Sequence, residues 1–189
     1  MINVYKRVEN NILAKSLLWT KIFMGILVIV LIVLDSRGYT ADLSNKAIRG
    51  FGKQMGVLTI IVAVVAFLNY LLREIYIKIK KEKISLTQKF EEIYRNMMKN
   101  VRLLHPALGT IALYLATLHA YFIWLRGSTR ITVTTGLGLS TFILLLLLLY
   151  VGLKIRLDAQ NKQLRYKHKL LAYLFFALYL GHVFMKKLI

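Results

Sequence analysis

The chemistry-capable residues of this chain are its four histidines, and they fall into two pairs. His105 and His119 bracket the run His-Pro-Ala-Leu-Gly-Thr-Ile-Ala-Leu-Tyr-Leu-Ala-Thr-Leu-His, and His168 and His182 bracket His-Lys-Leu-Leu-Ala-Tyr-Leu-Phe-Phe-Ala-Leu-Tyr-Leu-Gly-His. Both spacings are 14 residues, across apolar segments of helical length. Fourteen residues at 3.6 per turn return to within about 40° of the same helix face. At 1.5 Å per residue, the two rings of one helix stand roughly 21 Å apart along the axis. Neutral imidazole is a strong ligand for haem iron. Two such helices side by side offer two His–His pairs at two depths, the pattern expected for two haem b groups stacked across a membrane, each with two histidine ligands. The competing role for one intramembrane histidine is a hydrogen bond between helices. Ionisable groups inside a bilayer are costly and turn toward the protein interior, and four histidines in two equal pairs favour ligation.

Composition defines the setting. The chain has 189 residues, 58% of them apolar, and one proline; its mean hydropathy is +0.59. This predicts one all-α integral membrane domain over residues 1–189. The absence of cysteine excludes thiolate-bound iron–sulfur clusters, cysteine-ligated haem, covalent haem attachment through CxxCH, and disulfides. Any haem is therefore held by coordination and packing. The net charge of +19 lies mainly between the apolar runs, which points to anionic lipid headgroups and haem propionates as counter-charges. No nucleic-acid-binding motif is present, and no nucleic acid partner is expected.

Five membrane-spanning helices are expected at about 17–34, 57–79, 106–125, 135–153 and 166–185. Between the first two, residues 35–55 read as a polar loop with a short surface helix near 42–48, and Gly38, Gly50, Gly52 and Gly56 read as helix breakers. Asn69 reads as an interhelical hydrogen-bonding group, and Arg73 with Glu74 as a surface ion pair. Ser85-Leu-Thr-Gln88 has the form of a capping box. After it, Leu86, Phe90, Ile93, Tyr94, Met97 and Met98 share one face, opposite Lys89, Glu91, Glu92, Arg95 and Lys99. That pattern predicts an amphipathic helix at about 86–100, lying in the headgroup plane.

Pro106 belongs in a first turn, which places His105 at the mouth of helix three. Gly109, Ala112 and Ala116 on helix three, with Ala172 on helix five, are small enough to let a flat porphyrin approach the backbone. Arg126 and Arg130 lie in the following loop. Helix four, with neither charge nor histidine in its core, reads as a spacer that makes helices three and five parallel.

The densest basic loops, 78–102 and 154–169, belong on the cytoplasmic side by the positive-inside rule. The expected placement is a multi-pass protein of the cell membrane, N-terminus cytoplasmic and C-terminus outside. His105 and His168 then share the inner level, and His119 and His182 the outer one. Both axial positions on each iron are filled, so the expected chemistry is outer-sphere electron transfer rather than O₂ binding.

With the two histidine helices placed, the segments HPALGTIALYLATLHAYF and HKLLAYLFFALYLGHVF resemble the transmembrane domain of the ferric reductase and NADPH oxidase superfamily. The resemblance spans about residues 100–185. It implies two b haems between helices three and five, with ligation carried over to His105, His119, His168 and His182. The cytochrome b of quinol-oxidising complexes has a similar arrangement. Members of the superfamily commonly add a sixth helix and a flavin and nicotinamide domain, whereas this chain stops after helix five and has no GxGxxG.

The expected role is therefore that of an electron-transfer subunit of an oxidoreductase. Its donor is a flavoprotein or quinol on the cytoplasmic side, and its acceptor lies outside. A self-sufficient quinol-dependent ferric reductase is the alternative, with Glu74, Asp35 or Asp158 as proton acceptor. A non-redox membrane scaffold is the third possibility.

Overall fold

The computed structural model describes residues 2–39, 43–82, 87–125, 132–158 and 160–188. Among them the regular elements are all helical, in the order α1 (Ile2–Ser36), α2 (Asn45–Lys81), α3 (Gln88–Ala120), a π turn (Tyr121–Leu125), α4 (Val133–Leu157) and α5 (Lys162–Leu188). The chain is all-α, and five helices are long and apolar enough to cross a membrane. Its contacts divide it into two compact units, Met1–Thr40 with Val57–Tyr114, and Ala41–Gly56 with Leu115–Ile189.

The helices are longer than expected, because several sequence signals for breaks are overridden. Of the glycines read as breakers before helix two, only Gly38 ends a helix. It takes φ +85°, its N–H donates to Asp35 O, and the N–H of Tyr39 reaches back to Leu34 O. This is a Schellman cap, in which glycine supplies the left-handed residue. Gly50, Gly52 and Gly56 lie inside α2, which starts at Asn45 with the Ser44 hydroxyl accepting from Ala47 N at 3.2 Å. The expected loop and separate surface helix are thus largely the first turns of α2.

The expected interfacial helix at 86–100 is likewise corrected. Ser85 lies outside the described residues. The Thr87 hydroxyl accepts from Phe90 N, and α3 then runs 33 residues through Pro106 without a break. His105 is an interior helical residue rather than one at a helix mouth. A proline inside a helix costs about 3 kcal/mol, but the segments on both sides of Pro106 have strong helical patterning of their own, and together they outweigh it.

In the first unit, Gly25 of α1 meets Tyr114 of α3 so closely that a Cβ there would stand 2.9 Å from the tyrosine oxygen. The outward face of α1 shows Trp19, Phe23 and Ile29, side chains suited to lipid. Tyr94 of α3 donates its hydroxyl to Leu72 O of α2 at 2.8 Å and stacks on Tyr76 with ring centres 4.1 Å apart. Lys80 and Glu91 form an exposed ion pair at 3.8 Å. At 1.5 Å per residue, α2 and α3 are roughly 55 and 50 Å long, against about 30 Å of bilayer hydrocarbon. Through Tyr94 the start of α3 packs against the end of α2. Arg73 is exposed on α2. The side chain of Asn69 lies outside the described residues, as do Arg126 and Arg130.

In the second unit, α4 opens with a capping box between Thr132 and Thr135. Asp158 ends α4 and accepts from Asn161 Nδ2 at 3.1 Å, while Asn161 Oδ1 accepts from Leu164 N to cap α5. This short link folds α4 and α5 into an antiparallel hairpin, with Thr141, Leu144 and Leu145 of α4 and Phe175 and Tyr179 of α5 buried. Phe51 of α2 meets Phe122 of the π turn edge-on, with ring centres 5.2 Å apart.

Candidate haem-ligand histidines

Each of the four histidines sits in a long helix and is half-buried: His105 and His119 in α3, His168 and His182 in α5. Three of them have the same local device. His105 Nδ1 lies 3.2 Å from Ala66 O, His119 Nδ1 lies 2.8 Å from Gly52 O, and His182 Nδ1 lies 2.9 Å from Thr134 O. A carbonyl oxygen can only accept, so in each case Nδ1 carries the proton and donates. In a neutral imidazole the lone pair then resides on Nε2. Metal-ligating histidines are commonly held this way, the second ring nitrogen fixed by a carbonyl so that tautomer and ring plane are set in advance.

His119 and His182 belong to the same unit and come together. Their ring centres are 6.4 Å apart, and their planes are inclined at 76°. An imidazole nitrogen binds a first-row metal at about 2.0–2.1 Å, and the ring centre lies roughly 1.1 Å behind it, so two rings on opposite sides of one ion stand about 6.3 Å apart. The observed separation fits a shared metal. Among the described residues no group of three or more His, Cys, Asp or Glu is placed to hold a metal ion. His105 falls in the first unit and His168 in the second.

The backbone opposite these rings is glycine. A Cβ at Gly56 would stand 2.7 Å from His119 Nδ1 and 2.8 Å from its Cε1. At Gly138 it would stand 3.0 Å from His182 Cε1, and at Gly152 3.5 Å from His168 Cε1. Gly52, beside Gly56 on α2, receives Phe122 and Ile123 at 3.0–3.1 Å. Helix four is therefore more than a spacer, since it carries the glycines against both α5 histidines. Of the small residues expected to make room for a porphyrin, Ala112 is buried, and Gly109, Ala116 and Ala172 are half-buried. A sequence signal for the glycines existed. Gly138 and Gly152 are fourteen residues apart, the spacing of the histidines on the antiparallel neighbour, and Gly52 and Gly56 form a small-xxx-small pair.

The acidic residues weighed as proton acceptors lie on three different helices. Asp35 is buried at the end of α1, Glu74 is half-buried within α2, and Asp158 caps α4. No family model matches the chain, and no curated protein or solved structure matches it either.

Proposed function

We propose that this chain is the membrane subunit of a redox complex and conducts electrons across the bilayer between two b-type haems. His119 and His182 hold the outer haem, and His105 and His168 the inner one. The observation that carries the proposal is the His119–His182 pair: ring centres at a metal-sharing separation, with both Nδ1 atoms committed to backbone carbonyls. The inner pair rests on the repeated fourteen-residue spacing. When bound, each haem supplies one-electron exchange at iron.

The protein's own residues do the rest. The four imidazoles would hold the two groups through nitrogen, and the chemistry supplied there would be electron exchange. The apolar faces of the helices keep water from the sites. The basic stretches 78–102 and 154–169 belong on the cytoplasmic side, so the five helices run with the N-terminus inside and the C-terminus outside. They also offer the charge to engage lipid headgroups and an electron-donating flavoprotein; quinol is the alternative donor. The deciding experiment is a dithionite-reduced minus oxidised spectrum of the purified chain. A b-type α-band with two haems per chain is expected, and a colourless protein overturns the proposal.

A further inference from the structure

In an α-helix the carbonyl of residue i points along the axis toward residue i+4. The side chain of residue i+4 leans back over that same turn and covers the outer side of the carbonyl. With glycine at i+4 the carbonyl is uncovered, and its second lone pair can take a donor from another helix. Both acceptors of the outer pair have glycine at that position: Gly56 follows Gly52, and Gly138 follows Thr134. Each imidazole thus lies across one bare helical turn, with Nδ1 on the carbonyl and ring atoms where a Cβ would otherwise be, at 2.7 Å for Gly56 and 3.0 Å for Gly138. The comparison within this chain is His105. Its acceptor is Ala66, the residue at i+4 is Tyr70, and the hydrogen bond is 3.2 Å long, against 2.8 and 2.9 Å at the glycine turns.

We infer that Gly56 and Gly138 are positioning residues for the outer haem. By opening the carbonyls of Gly52 and Thr134 they lock His119 and His182 in the Nδ1–H tautomer, with planes near perpendicular. This rests on the two-haem proposal and extends it to the properties of one site. A short hydrogen bond at Nδ1 makes the imidazole a stronger donor to iron. That stabilises the ferric state and lowers the midpoint potential. Ring planes inclined at 76° give low-spin ferric haem a highly anisotropic electron paramagnetic resonance signal, dominated by one large low-field g value.

The test uses the full chain in membranes, oxidised, with resonance spectra and a redox titration of the α-band. Gly56→Ala and Gly138→Ala are compared with Gly50→Ala and Gly136→Ala, helix positions where nothing lies within 4 Å of a new Cβ. The wild type is expected to show the large-g signal. Gly56→Ala and the milder Gly138→Ala should each shift or abolish it and raise one midpoint, with the other haem retained and unmoved. The two control variants should match the wild type. The inference is overturned if both test variants leave signal and midpoints unchanged, if the controls move them equally, or if both test variants lose both haems together. A wild-type chain without haem defeats the two-haem proposal itself, and that is seen before any variant is made.

Discussion

His119 and His182, 63 residues apart in sequence, stand 6.4 Å apart, ring centre to ring centre. Neither ring reaches that position by its own helix alone. α2 supplies a carbonyl to one and α4 to the other, so four helical segments converge on one pair of side chains. The substitutions that matter are therefore spread over elements with no metal-binding residue of their own.

His119→Ala and His182→Ala are expected to remove the same haem, halving the haem-to-protein ratio, and the double variant should lose no more than either single one. His105→Ala and His168→Ala should remove the other haem. A haem assay per mole of protein, with the reduced spectrum of each variant, checks the pairing. Loss of both haems from every single variant would mean that the sites are not separable.

Tyr94 and Glu91 sit on the same turn region of α3 and both reach toward α2, but their contributions should differ. Tyr94 is buried, and its hydroxyl bond to Leu72 O is 2.8 Å, so Tyr94→Phe is expected to cost about 1 kcal/mol. The Lys80–Glu91 pair is exposed and long at 3.8 Å. Water screens it, and Glu91→Gln should leave the melting temperature unchanged. Thermal unfolding in detergent compares the two.

The Tyr179 hydroxyl is buried with no hydrogen-bond partner among the described residues, and its ring stacks on Phe175 at 5.8 Å. A buried hydroxyl without an acceptor carries a desolvation penalty of about 1–3 kcal/mol. Tyr179→Phe retains the ring stack and removes that penalty. The variant should melt at or above the wild-type temperature with its haem content intact; a clear drop would show that the hydroxyl has an acceptor.

Pro106 interrupts the hydrogen-bond ladder of α3 next to His105. Pro106→Ala restores an N–H donor and removes a ring clash that costs about 3 kcal/mol in a helix interior. Greater thermal stability is expected, with any spectral change confined to the haem that His105→Ala removes. A change in the other haem would show that the effect of Pro106 reaches His119.

The sequence by itself determined that the chain is helical and made of membrane-length apolar segments. It also singled out His105, His119, His168 and His182, because those properties depend on composition and on spacing along one helix. The helix-ending signal at Gly38 is local in the same way. The tertiary structure decided the course of the backbone at 45–56 and at Pro106, and the partners of the histidine rings. A glycine or proline breaks a helix only when nothing repays its local cost. Gly52 and Gly56 remain helical because the side chains of Phe122, Ile123 and His119 occupy the space their missing Cβ atoms leave. Gly138 and Gly152 are unremarkable in an apolar run until α5 folds back antiparallel and lays His182 and His168 against them. Spacing along a helix is a property of one segment, whereas an exposed carbonyl acquires its meaning only when another helix brings a donor to it.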